Sequence, residues 1–219
     1  MKFKLSLKVS CNAGFFHRVS YSFECKNGIG AVLERVKKMN ERVVLGAGPY
    51  DNNPGWIHTQ EYELDLLNER TWQDKFEPAS LSALLAEHVW EHLTKDEGYQ
   101  VAAICWKYLK PGGYLRCAVP DGYFPDKSYQ ANVQVGGPGP LDHPAASHQV
   151  VFHYQSLTEV FEKAGFRVNL LEYHDEQGRF HEHEWKGADG VIYRSKQYDP
   201  RNQHGRLAAP SLILDAIKE

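Results

Sequence analysis

The chain has 219 residues, a formal net charge of −3 and 42% hydrophobic residues, which is enough for one domain with a buried core. No run of like charge stands out, so neither a nucleic-acid backbone nor an anionic membrane surface is an expected partner. No segment approaches the roughly 18 consecutive apolar residues of a membrane span.

In chain order, the opening MKFKLSLKVSCNAGFF has neither the apolar centre nor the small-residue cleavage site of a signal peptide, and it reads as mature protein. Residues 3–9 and Val19–Phe23 alternate like short strands, within an N-terminal extension placed at 1–27. Ile29, Val32, Leu33 and Val36 recur at helical spacing and predict a helix over Ile29–Met39, stopped at Asn40. Arg42–Leu45 is then the first core strand. It runs into Gly46-Ala47-Gly48-Pro49, a tight turn whose glycines let a ligand lie almost against the backbone. In open α/β sheets a ligand binds beyond the carboxyl end of such a strand.

Gly55–Thr59 reads as a second short strand and Tyr62–Asp65 as a third, ending on an acid. Leu81–Ala86 reads as a buried strand, and Gly98–Leu109 carries a helical stripe that Lys110-Pro111-Gly112-Gly113 stops. Tyr114–Val119 is a strand. Residues 120–155, rich in proline and glycine, lack a period and read as a lid or acceptor loop. Ser156-Leu157-Thr158-Glu159 has capping-box form and predicts a helix running to Gly165, followed by strands at Phe166–Tyr173, Gly190–Tyr193 and Leu212–Ile217. Strands alternating with helices argue for an α/β fold with a mainly parallel sheet. Cys11, Cys25, Cys105 and Cys117 show no C-x-x-C spacing. Buried reduced thiols at Cys105 and Cys117 are expected, and with them a cytoplasmic location.

Over residues 40–218 the order of signals resembles the class I S-adenosylmethionine-dependent methyltransferases. The likeness rests on LGAGPYDNNPGW, with Gly-Trp after the glycine motif as in one branch of the family, on Asp65-Leu66, on AEHVWEHL (86–93), and on YLKPGGYLRCAVPD (108–121). LTEVFEKAGF (157–166) is similar to the family's helix before its sixth strand. The resemblance implies one Rossmann-like domain: an open, mostly parallel twisted sheet flanked by helices, with an antiparallel C-terminal strand. It implies S-adenosylmethionine as cofactor and a small-molecule acceptor. Gly46, Ala47 and Gly48 would meet the amino-acid head, Gln60 and Glu61 the ribose, Asp65 and Leu66 the adenine, and Glu87 and His88 the methionine. The chain departs from the family pattern at Val44, where an acid is usual, at Tyr50, where a third glycine is usual, and at Gln60, where strand two usually ends on an acid. A methyltransferase-fold protein that binds without turnover is the alternative these departures leave open.

Methyl transfer needs alignment and, for a hydroxyl acceptor, a base that titrates near neutrality, which suits histidine. His88, His92 and His148 are the catalytic candidates, with His143 and His153 also in reach of the lid segment; His181 and His183 read as surface. His88-Val89-Trp90-Glu91-His92 also spells H-x-x-E-H, the inverted zinc-peptidase motif, which needs a long helix. The same segment is similar to an E-x-x-E-H stretch through which some methyltransferases hold a divalent ion. No metal is expected, and Glu91 and His92 are read as pinning the loop by hydrogen bonds. A dinucleotide oxidoreductase is disfavoured, because Pro49 removes an amide that a pyrophosphate needs.

Overall fold

The computed structural model describes residues 41–137, 144–202 and 205–219. The strands expected over 3–9 and Val19–Phe23, the helix over Ile29–Met39, and His143 lie outside them. Among the described residues one sheet contains β1 (Arg42–Leu45), β2 (Ile57–His58), β3 (Leu81–Glu87), β4 (Leu109–Pro120), β5 (Arg167–His174), β6 (Phe180–Glu182) and β7 (Ser211–Ile217). Their order is β2-β1-β3-β4-β7-β5-β6. β1 to β4 run parallel, and β7 lies antiparallel between β4 and β5, so β5 shares the direction of the first four. This is an open, mostly parallel, Rossmann-like sheet with a reversed C-terminal strand.

The two-residue side-chain period of the strands sorts the core into two faces. Val43, Leu45, Leu84, Ala86, Leu115, Cys117, Leu212 and Leu214 face one way, against α2 (Lys95–Tyr108) and α4 (Tyr154–Lys163), which follow α1 (Glu69–Gln73) and α3 (Lys127–Val133) in the chain's helix order. Val44, Ala83, Leu85, Ala118 and Ile213 face the other way, against Trp56, Leu171 and Ile192. Among the described residues this second face is covered by an irregular strap, residues 185–199, instead of a helix. Its anchor is Arg116, 2% exposed. The guanidinium makes two 2.8 Å bonds to Asp215, its cross-strand partner on β7, and donates to the Gly190 carbonyl at 2.7 Å. Cys105 and Cys117 are free and buried, and burial pushes both thiols up.

Local chemistry sets the element ends. Thr94 and Glu97 cap each other's backbone at the start of α2. At its other end Lys218 Nζ donates to the carbonyls of Trp106 and Leu109 at 2.7 and 2.8 Å. The Lys110–Gly113 segment does end the helix, but it does so as a bulge inside β4: the register with β3 jumps from Leu109 to Tyr114. A side chain at Gly113 would come within 2.9 Å of the Lys110 carbonyl oxygen.

Three expectations are corrected. Tyr62–Asp65 is a turn, not a strand: the Glu63 and Leu64 amides both donate to the Gln60 carbonyl, and only Leu64 of the four is buried. Gly190–Tyr193 is not a strand, because side chains take its backbone groups: Asn53 holds both the N–H and the carbonyl of Val191. The capping box of α4 lies three residues early, with His153 as the cap and Ser156 as its reciprocal partner. In the described parts of the expected lid or acceptor loop, 120–137 and 144–155, the chain forms α3 and packs against its neighbours. Tyr129 Oη donates to the Pro210 carbonyl and accepts from the Asp121 amide, while Phe124 and Phe152 are buried.

Candidate functional site

The chain leaves β1 to one side to form β2, and β3 returns on the other side. The carboxyl ends of β1 and β3 therefore flank the switch point where open α/β sheets bind ligands. Gly46 (φ +59°) and Gly48 (φ +55°) make the turn there, in the left-handed region that glycine enters freely. A side chain at Gly46 would press on Val89 Cγ2 at 3.1 Å, whereas one at Gly48 would meet nothing within 4 Å. The turn is thus exposed, not covered by neighbouring side chains. Gln60 brackets it: the Gly48 amide donates to Gln60 Oε1 at 3.2 Å, and Gln60 Nε2 donates back to the Gly48 carbonyl at 2.8 Å. Glu61 and Asp65 are exposed and Leu66 is half-buried. The Asp65 carboxylate accepts the Leu67 amide at 3.0 Å.

Glu87 closes β3 and is already engaged. Its two oxygens accept the amides of Tyr193 and Arg194 at 2.9 and 2.8 Å. Tyr193 stacks on Tyr50, ring centroids 5.1 Å apart, and the Arg194 guanidinium sits over the Tyr50 ring. Beside the glycine turn, Gly46, Ala47, Tyr50, Leu85 and Glu87 line a cavity of about 10 Å³, room for one water. The donors present fit S-adenosylmethionine in kind: bare glycine backbone, open space beside Gly48, and carboxylates for a cationic ligand. The enclosed volume alone does not hold it, so the cofactor would lie on the open side of Gly48 or displace the strap from Glu87. Asn53, Tyr193 and Arg194 had no signal in the chain beyond the Asn-Pro-Gly turn at 53–55, and Tyr50 stood out only as a departure from the glycine motif.

Past Glu87 the backbone turns sharply. His88 takes φ +55°, an uncommon conformation for a non-glycine residue, and Trp90–His92 form a single 3-10 turn. The H-x-x-E-H stretch is therefore not on an α-helix, and the peptidase arrangement is not formed. His88 has both ring nitrogens occupied, Nε2 by Ser211 Oγ and Nδ1 by Glu91 Oε1, each at 3.0 Å. Glu91 is 1% exposed. Its carbonyl accepts the Gln149 and Val150 amides, so the loop is pinned as expected, though by backbone. Neither carboxylate oxygen has a hydrogen bond of good geometry; the His88 contact is an ion-pair distance without the angle. Burial pushes the Glu91 carboxyl up, but His88 outweighs it and the net direction is down.

Those backbone bonds carry His148 to the same place. The His92 and His148 rings meet edge to face at 5.0 Å. His92 Nδ1 lies 2.8 Å from Ser147 Oγ, and His148 Nδ1 donates to the Val133 carbonyl at 2.9 Å. Burial pushes the His92 ring down, with His148 adding to it against the pull of Glu91. The structure thus gathers His88, His92 and His148 around one carboxylate. His153 caps α4, and His181 pairs with Asp175 at 2.8 Å.

No family model matches the chain, and no curated protein matches it in sequence. Solved structures that align with it include an S-adenosylmethionine-dependent methyltransferase from Archaeoglobus fulgidus, with a TM-score of 0.48 and 14% identity over 87% of this chain and 93% of that one. Another, from Thermotoga maritima and described as a possible histamine N-methyltransferase, has a TM-score of 0.47 and 15% identity over 86% and 89%. A third is from Listeria monocytogenes, described as a putative S-adenosylmethionine-dependent methyltransferase, with a TM-score of 0.44 and 14% identity over 85% and 96%. Likenesses of this strength carry no residue roles. No helix among the described residues is long and apolar enough to cross a membrane.

Proposed function

We propose that the protein is an S-adenosylmethionine-dependent methyltransferase acting on a small-molecule acceptor. The observation that carries the reading is the exposed, left-handed Gly46–Gly48 turn at the switch point between β1 and β3, faced by Glu87. A crevice with a carboxylate beside bare backbone, and with Pro49 in place of an amide donor, favours a cation over a phosphate. When bound, the cofactor supplies an electrophilic methyl group on a sulfonium. Gly46, Ala47 and Gly48 would hold its amino-acid end, Gln60 and Glu61 the ribose, Asp65 and the Leu66 backbone the adenine, and Glu87 the side of the sulfonium. His88, held between Ser211 and Glu91, is the candidate to take the acceptor's proton, at Nε2 once the acceptor displaces the Ser211 hydroxyl.

The engagement of the crevice's polar groups favours a second reading, a methyltransferase-fold protein that binds without turnover: Gln60 already takes the Gly48 amide and the strap already takes Glu87. Calorimetric titration with S-adenosylmethionine and with its demethylated product tests both. Saturable binding that disappears in Gly48→Arg, whose side chain fills the open space, supports the cofactor site. Methyl transfer in a broad acceptor screen then separates enzyme from binder. A folded wild-type chain that binds neither nucleoside sinks both readings.

A further inference from the structure

We propose that Glu91, His92 and His148 form a site for one divalent transition-metal ion of the zinc type. Among the described residues they are the group of this kind that the fold assembles: one ligand atom from each lies within 4.8 Å of the other two. An independent observation points into the same spot. Both Glu91 carboxylate oxygens are buried without a hydrogen bond of good geometry; Oε1 has only His88 Nδ1 at 3.0 Å, and Oε2 has no hydrogen-bond partner among the described residues. A buried carboxylate without such partners is costly, and a bound dication is the compensation its surroundings offer.

The two imidazoles are set for ligation. Because a carbonyl can only accept, the Val133 bond fixes the proton of His148 on Nδ1 and leaves a lone pair on Nε2. Ser147 Oγ, 2.8 Å from Nδ1, orients the His92 ring, and a hydroxyl that can donate or accept leaves Nε2 able to carry the lone pair. Such orienting bonds through the far ring nitrogen are the usual companions of metal-bound histidine. Glu91 is brought to them by its own carbonyl, which clamps the Gln149 and Val150 amides next to His148. His88 is not a ligand, since both of its nitrogens are occupied. The set therefore differs from the contiguous His88/Glu91/His92 triad: a histidine from beyond α3 replaces the first histidine of the motif.

Two imidazoles and one carboxylate suit zinc, cobalt or iron and are poorly matched to magnesium or calcium, which prefer oxygen throughout. Three protein ligands leave a fourth position open to water or to a substrate oxygen. Tetrahedral donors at ~2.0–2.1 Å from zinc stand ~3.4 Å apart, so side-chain closure of about an ångström completes the site. Occupancy is measured without turnover, so this inference stands or falls separately from the methyltransferase reading.

The test uses the full chain without a polyhistidine tag, stripped with a chelator, dialysed, and titrated with Zn²⁺ by calorimetry and with Co²⁺ by visible absorption. One equivalent per chain is expected, with cobalt bands of a low-coordinate nitrogen–oxygen site. His92→Ala and Glu91→Gln should each weaken binding at least tenfold while His181→Ala leaves it unchanged. His92 is only half-buried, so its variant stays folded if the buried Glu91 change does not, and circular dichroism of each metal-free variant checks this. Absence of stoichiometric binding in the wild type, unchanged affinity in His92→Ala, or loss of binding in His181→Ala overturns the assignment.

Discussion

Glu87, at the end of β3, holds the amide of Tyr193 at 2.9 Å. Its second oxygen holds the next amide, that of Arg194, at 2.8 Å, so a single carboxylate ties the strap to the carboxyl edge of the sheet. Glu87 also lines the cavity at the glycine turn, so the tie sits where a ligand at the switch point would compete.

Replacing Glu87 with Ala removes both acceptors and leaves two strap amides unpaired. A loss of about 1–3 kcal/mol is expected, concentrated in the strap. Hydrogen exchange should quicken at Tyr193 and Arg194 by tenfold or more while the amides of α2 keep their protection. Equal acceleration in both places would mean that Glu87 supports the whole fold and not the strap.

The Arg116–Asp215 pair predicts a larger effect. Arg116 is almost fully buried and makes both side-chain bonds of a bidentate pair, so Asp215→Ala leaves a buried cation without its counter-ion. The expected cost is roughly 3–5 kcal/mol in urea unfolding. The double change Arg116→Met with Asp215→Leu should recover part of it, because the unpaired cation is gone while the Gly190 carbonyl still loses its donor.

Lys218 acts as a side-chain cap from the far end of the chain. Lys218→Met keeps the packing of the stem over Trp106 but removes the donor to two carbonyls at the end of α2. About 1–3 kcal/mol should be lost, with little change in the cooperativity of the transition.

Acid should expose the hairpin between β5 and β6. Burial alone pushes the Asp175 carboxyl up, but bonds from His181, Arg179 and Gln177 outweigh it and hold it well below the ordinary aspartate value. A carboxyl depressed on folding contributes stability that is full above its unfolded value of about 3.9 and fades as pH falls below it. Urea midpoints at pH 5 and pH 3 should therefore drop less in Asp175→Asn than in the wild type.

Much of the architecture follows from local pattern. The apolar runs at 42–45, 81–86, 166–173 and 212–217 became strands, and the stripes ending at Leu109 and Gly165 became helices, because burial on a period of two or 3.6 is written into neighbouring residues. The segments read wrongly have backbones claimed by partners far along the chain. Gly190–Tyr193 has the composition of a strand, yet Asn53 and Glu87 take its backbone groups.

The candidate site divides along the same line. The glycine turn, the acid ending β3 and the histidines beside it lie in short contiguous stretches, so their residue types could be read directly from the chain. That Glu87 is occupied by the strap, that His88 is spent on Ser211 and Glu91, and that His148 arrives in its place were decided only when the sheet brought distant segments together. Hydrogen bonds and ligand sets form between neighbours in space, and a chain's local order carries no record of which distant groups those will be.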